Sequence, residues 1–144
     1  MAIRVKLKIK VKSSAELSEA IALINSGFET STPQLLVPKR LAEKLGFWPS
    51  LPAEAKLATY GTAGGAVRVH VIPKAVLVSV GEEDVESPKV ESDLVISEIE
   101  DEVLTSDKLA GKLGLVIEDI GEGLWLLKAD KDRKIRRSYP PQYW

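Results

Sequence analysis

The chain has 144 residues, 44% of them hydrophobic, and its 20 basic and 21 acidic side chains nearly cancel. These values fit one globular domain and exclude a globally basic nucleic-acid binder. With no cysteine and a single histidine, His70, the chain lacks a disulfide framework, a thiolate zinc site and a cysteine nucleophile, and a histidine-based metal centre or triad is disfavoured. No apolar run reaches the roughly 20 residues of a membrane helix. We therefore expect a cytoplasmic protein without cofactor, metal or membrane partner.

The first part of the chain predicts short strands and one helix. Residues 3–11 alternate apolar side chains with Arg and Lys, which is typical of a strand with one buried and one basic face. Asn25-Ser26-Gly27 interrupts a following strand, and Gly46 is placed to end a helix. The remaining predicted strands and the helix of this part are residues 20–24, 34–37 and 39–45.

The later part predicts two strands, 57–60 and 67–72, around a glycine-rich hairpin tip, Gly61-Thr62-Ala63-Gly64-Gly65. Pro73 is expected to close the second of these strands. Ser106 is a good N-cap for a second helix, with Gly114 as its stop. The other predicted elements of this part are strands 75–80, 94–99 and 103–104, helix 107–113 and a hairpin of strands 115–117 and 124–127.

Many short strands with glycine and proline turns, and only two short helices, predict an all-β fold. We expect a small, closed or partly closed barrel over residues 1–127, followed by a basic, aromatic tail over residues 128–144. The segment 40–47, RLAEKLGF, resembles the segment 108–115, KLAGKLGL. Each follows an apolar strand and a turn, which favours a duplicated half-barrel over a chance similarity between two glycine-capped helices.

The segment 22–30, ALINSGFET, resembles the active-site loop of the retropepsin-like aspartic proteases, where three apolar residues precede Asp-Ser/Thr-Gly. The order of later features is also similar, with Leu-Ala-x-x-Leu-Gly at 41–46, a glycine-bearing hairpin at 59–65 in the place of the flap, and a strand leading into a helix at 103–109. The resemblance covers roughly residues 4–127. It implies a retropepsin-type barrel, a homodimer with one loop from each subunit, and a cleft beneath the flap residues Gly61, Thr62, Ala63, Gly64 and Gly65.

The sequence departs from the family at the decisive position, because Asn25 stands where the resemblance places the catalytic aspartate. The chemistry needs two carboxylates that share one proton. An amide neither ionises nor serves as a general base, and losing general acid-base catalysis costs about 10²–10⁴-fold. Thr105-Ser106 also stands where the family favours glycines. On this resemblance the catalytic positions are Asn25, Ser26 and Gly27, without a carboxylate.

Three functions follow as expectations. The first is a catalytically inactive, homodimeric pseudoprotease that binds an extended peptide or protein segment between its subunits. The second is an aspartic endopeptidase whose aspartate is replaced by Asn25. The replacement is either engineered or is one that deamidation of Asn25 would reverse. The third is a nucleic-acid-associated module that uses the basic strand face, residues 4–12, and the tail. An edge strand protected by lysines and a tail packed on a dimer mate are the structural alternatives to this third function.

Several polar residues have both a functional and a structural interpretation. Glu29 could supply a carboxylate near the dimer axis, or it could be a surface charge. Asp107 could reach the cleft, or it could face the helix dipole. His70 is interpreted as a surface residue. The acidic residues of the predicted turn could bind a hard cation, but their spacing matches no known loop motif, so a solvated turn is expected. These residues are Glu98, Glu100, Asp101 and Glu102.

Overall fold

A computed structural model describes residues 2–144. Ten strands and two short helices follow one another along this part of the chain. In chain order they are β1 (Arg4–Val11), β2 (Leu17–Ile24), β3 (Gln34–Pro38), α1 (Lys39–Lys44), β4 (Lys56–Thr62), β5 (Gly65–Val80), β6 (Val90–Ser97), β7 (Val103–Thr105), α2 (Asp107–Leu113), β8 (Leu115–Asp119), β9 (Leu124–Leu127) and β10 (Arg136–Arg137).

Six strands form a closed barrel in the order β1-β2-β7-β3-β6-β5, and the ring closes where β5 pairs with β1. Strand β4 adds to β5 outside this ring, and β8, β9 and β10 form a separate three-stranded sheet. The predicted all-β barrel with two short helices is therefore confirmed. Closure gives each ring strand two neighbours, which removes the open edges that flat sheets expose.

The alternation in β1 produces the barrel interior. Its apolar residues are buried while Lys8 and Lys10 on the other face are exposed, as the period-2 pattern predicts. Leucines of both helices and the indole of Trp125 close the same core. Fully burying one such side chain contributes about 1.5–3 kcal/mol. The largest fully buried side chains are Trp125, Leu7, Ile9, Leu35, Leu41, Ile72, Leu94, Ile96, Leu109, Leu113, Leu127 and Val5.

The expectation that Pro73 ends a strand is wrong, because β5 runs through it from Gly65 to Val80. The pairing with β6 shifts register between Ile72 and Val76. Lys74 has a φ of 51°, and its N–H donates to Asp93 Oδ1 at 2.9 Å. The Asp93 side chain of β6 thus accepts an N–H that the shifted strand pairing leaves without a main-chain acceptor. Pro73 therefore causes a β-bulge and does not end the strand.

Two further sequence expectations are corrected. Strand β6 begins at Val90, four positions before the predicted start at Leu94; Ser92 and the polar residues beside it hide the apolar pattern, although Ser92 itself is buried. The sequence does not predict strand β10. It pairs Arg136 with Trp125 of β9, and a two-residue basic segment carries no strand periodicity from which it could be predicted.

The ring has an approximate internal two-fold symmetry. Exchanging β1 with β5, β2 with β6 and β3 with β7 preserves every pairing in the ring and its direction. Leu36 and Leu104 are Cα partners across β3 and β7, and each lies four residues before one of the two similar segments, 40–47 and 108–115. We call β1, β2, β3 and α1 the first half, and β5, β6, β7 and α2 the second half. The pairing pattern agrees with the duplicated half-barrel that the sequence predicts.

The two helices begin differently. In α2, Ser106 is the N-cap, and its Oγ accepts the Leu109 N–H at 3.2 Å. In α1 the N-cap is Pro38, which provides no side-chain hydrogen bond. Both helices are followed by a glycine with positive φ, at Gly46 and Gly114, where a residue with a Cβ would be strained.

The tail lies on the barrel of its own chain. Tyr139 N–H donates to Arg4 O at 3.0 Å, and Trp144 N–H donates to Asp101 O at 2.8 Å. Arg136 is buried and is bonded to Asp84 at 2.9 Å and to Asp130 at 3.1 Å. The tail is therefore ordered through contacts within one protomer. No helix within residues 2–144 has both the length and the apolar character required to span a bilayer.

Candidate functional site

The loop after β2 is shaped by Asn25. Its Oδ1 accepts the Gly27 N–H at 3.1 Å, and its main-chain oxygen accepts the Phe28 N–H at 3.1 Å. This is an Asx turn, which an asparagine or aspartate side chain forms readily. Asn25 is half-buried, whereas Ser26 and Gly27 are exposed at the tip. The amide oxygen is thus committed to the local turn, and the tip residues are left on the surface.

The start of α2 holds this loop in place. Asp107 N–H donates to Phe28 O at 2.9 Å, and Asp107 Oδ1 accepts the Thr30 N–H at 3.1 Å. The first-turn aspartate therefore fixes the backbone of the loop and lies outside the cleft lining. It also lies at the helix end where a negative charge is favourable. One residue thus serves both the helix and the loop.

The glycine-rich hairpin that joins β4 and β5 stands opposite the loop. Thr62 Oγ1 donates to Gly65 O at 2.6 Å, and Gly65 has a φ of 117°, a conformation that favours glycine. Further down the hairpin, Tyr60 Oη donates to Gln34 Oε1 at 2.7 Å. Burial raises the pKa of the Tyr60 phenol. The hairpin is thereby tied to β3 at the barrel wall.

The loop and the hairpin line one cavity of about 800 Å³, which we call the cleft. Asn25 and Gly27 contribute from the loop, and Gly61, Thr62 and Ala63 contribute from the hairpin. Among the described residues, the other three predicted positions, Ser26, Gly64 and Gly65, lie outside the cleft lining. Two segments far apart in sequence are thus brought to the same cavity.

The floor of the cleft is apolar. It is part of a small hydrophobic cluster on the outer face of the ring, separate from the main core. The Phe28 and Tyr60 rings belong to it, with centroids 6.0 Å apart and tilted by 53°. A concave, mostly apolar surface with a few polar groups is the usual form of a binding site. The cluster members that line the cleft are Phe28, Leu36, Tyr60, Val67, Val69 and Leu104.

Among the described residues that line the cleft, the charged ones are Glu29 and Glu100. Both side chains are exposed, and within residues 2–144 neither has a cationic group within 4.0 Å. Glu29 follows β2 and Glu100 follows β6, so each half of the barrel contributes one carboxylate. The cleft is therefore a site of negative charge.

The other candidates have structural surroundings. His70 is half-buried rather than fully on the surface; its ring lies 5.5 Å from the Trp48 ring, and its Nε2 lies 3.8 Å from Glu98 Oε2. Glu102, expected in a solvated turn, is buried and paired with Arg4. That pairing joins residues far apart in sequence, so local reasoning missed it. Among residues 2–144, no group of three or more potential ligands could hold a metal ion.

The basic candidates are partly paired within the chain. Lys6 Nζ lies 5.3 Å from the Tyr139 ring centroid, and Lys12 is paired with Glu91. In the tail, Lys134 and Arg136 both bond Asp84. Lys8 and Lys10 remain exposed. Part of the basic charge proposed for nucleic-acid binding is thus used in contacts within the chain.

Neither a known protein-family model nor a curated protein matches this chain. Asn25 Nδ2 can donate hydrogen bonds to a ligand, but the amide cannot take a proton from water at any working pH. The apolar floor and the carboxylates of Glu29 and Glu100 suit binding.

Proposed function

We propose that this protein is a catalytically inactive, retropepsin-like homodimer that binds an extended peptide or protein segment in its cleft. The observation that carries the proposal is that the Asn25 loop and the 61–65 hairpin line one apolar-floored cavity. The resemblance assigns the catalytic position to this same loop. Because an amide stands there, binding is retained and general acid-base catalysis is lost.

The free edge of β4 supports binding of an extended segment. Strand β4 pairs with β5 on one side, and Thr59, Tyr60, Gly61 and Thr62 of β4 line the cleft. A peptide laid along this edge would pair its main chain with β4 and place alternate side chains toward the apolar floor. This mode gives affinity through the backbone, so it accepts more than one sequence.

Exposure of the loop tip supports the homodimer. Ser26 and Gly27 are exposed beside the cleft, and Ile99, from the loop after β6, is 70% exposed. In the resemblance, two such loops meet at a two-fold axis. A second copy would cover these residues and complete the cleft on its open side. Sedimentation equilibrium is expected to give twice the chain mass, and a strictly monomeric protein at high concentration would contradict the dimer.

The decisive experiment compares this chain with its Asn25→Asp variant on a peptide library. We expect both proteins to bind peptides and only the variant to cleave them. Cleavage by the unchanged chain, accompanied by the mass gain of amide-to-acid conversion at Asn25, would support the alternative of a deamidation-reversible endopeptidase. Absence of peptide binding by both folded proteins would contradict the proposal.

A further inference from the structure

We infer that the segment bound in the cleft carries a lysine or arginine side chain next to apolar ones. This inference rests on the proposed function and names the chemical class of its ligand. It follows from the charges of the cleft, because Glu29 and Glu100 are the charged residues among its described lining.

Some carboxylates of the chain are held in ion pairs within residues 2–144, whereas the two that line the cleft are not. Glu102 is paired with Arg4, Asp84 with Lys134 and Arg136, and Glu91 with Lys12. Glu29 and Glu100 have no such partner among the described residues. A ligand cation would supply the missing charge, and pairing there would stabilise the complex without breaking an existing ion pair.

The geometry separates the charged and apolar parts of the cleft. The carboxylates come from the loops that follow β2 and β6, whereas the apolar floor, apart from Phe28 of the first loop, comes from β3, β7 and the hairpin strands. Lysine and arginine have long apolar stems and charged ends, so one side chain can contact both parts. An acidic ligand side chain would face repulsion from carboxylates contributed by both halves of the barrel.

The test uses a positional-scanning library of short fluorescent peptides and measures binding by fluorescence polarisation. Pools with a fixed lysine or arginine are expected to bind more tightly than pools with glutamine or glutamate at the same position. Each exposed ion pair should contribute about a two- to fivefold preference, which decreases as salt is raised. Pools with a fixed apolar residue should be insensitive to salt.

Glu29→Gln and Glu100→Gln should each reduce the preference for basic pools, and the double variant should abolish it while apolar pools still bind. Glu118→Gln is the matched control, since Glu118 is an exposed carboxylate on β8 outside the cleft lining. Binding of peptides without a basic preference, or a preference that survives in the double variant, would overturn the inference and leave the proposed function standing. Failure of every pool to bind would overturn both.

Discussion

The two halves of the barrel have equivalent strand pairings, yet their equivalent strands end differently. The pairings make Ile24 of β2 equivalent to Ile96 of β6, so the next residues, Asn25 and Ser97, are equivalent as well. Asn25 is half-buried, and its side chain accepts one N–H, from Gly27. Ser97 is 1% exposed, and its hydroxyl accepts the N–H groups of Ile99 and Glu100.

This difference is confined to the loops that follow the equivalent strands. A closed barrel needs both halves to supply the same strands, so the pairings are preserved in both. The loop after β6 is fastened by a buried hydroxyl, whereas the loop after β2 keeps its tip exposed and is held from outside by α2. The first half therefore exposes the tip of its loop, whereas the second half buries the hydroxyl that holds its loop, although both halves contribute residues to the cleft.

The largest expected effect tests whether the halves are packed equivalently. Leu41 in α1 and Leu109 in α2 are equivalent, and both are fully buried. Leu41→Ala and Leu109→Ala should each lower the free energy of unfolding by about 2–5 kcal/mol, because each leaves a cavity in the core. Urea denaturation measures this. Leu57→Ala is the control, since Leu57 is 58% exposed. A cost below about 1 kcal/mol at either buried site would show unequal packing.

The second effect concerns the ends of the equivalent strands. Ser97→Ala should lower the free energy of unfolding by about 1–3 kcal/mol, because two N–H groups in a buried site lose their acceptor. Asn25→Ala should cost at most about 1 kcal/mol, since water can replace the acceptor at an exposed turn. Chemical denaturation of the two variants side by side gives the comparison. An equal loss of unfolding free energy in the two variants would show that the loops after β2 and β6 are held equally firmly.

A smaller effect is expected at the helix starts. Ser106→Ala should cost about 0.5–2 kcal/mol, as is usual for loss of an N-cap hydroxyl. The upper part of that range is expected because Ser106 Oγ also accepts the Gln34 N–H at 3.0 Å. Pro38→Ala should cost less than about 1 kcal/mol, through the added flexibility of the unfolded chain. Thermal unfolding of both variants would show the order, and a reversed order would contradict the assigned cap.

The smallest effect is a pH dependence of the ion pairs between the loop after β5 and the tail. Bonds from Arg136 and Lys134 hold the pKa of the Asp84 carboxyl well below its ordinary value. Such a group stabilises the fold above its unfolded pKa of about 3.9, and this stabilisation is lost as the pH falls. The melting temperature of Asp84→Asn should therefore depend less on pH between about 5 and 3 than that of the unchanged protein. Parallel curves would show that the ion pair does not contribute.

Local patterns predicted much of this fold. The alternation in β1, the Ser106 cap and the Gly46 and Gly114 stops are properties of a few adjacent residues, and each lies where the sequence indicates. The misses involve distant partners. The sequence predicts a strand end at Pro73 because it does not show that Asp93 of β6 accepts the Lys74 N–H. It predicts a solvated Glu102 because it does not show that Arg4 pairs with this carboxylate.

The candidate site shows the same division. The resemblance indicated Asn25, Gly27 and the hairpin, and these residues line one cavity. It did not indicate that Glu100 lies at that cavity, because the loop after β6 is brought there by the internal two-fold and not by any motif. The exposure of Ser26, together with Gly64 and Gly65 lying outside the cleft lining, also depends on the three-dimensional course of the loop and the hairpin.

Closure of the ring by β1 and β5 has a consequence for synthesis on the ribosome. The second edge of β1 has no partner until residues 76–80 have been made, because these are the residues that pair with it. Contacts of such sequence separation slow folding and expose unpaired strands in the meantime. Lys8 and Lys10 lie on β1 throughout that interval, and lysines discourage edge-to-edge association. The basic face of β1 would thus discourage association between nascent chains before the barrel has closed.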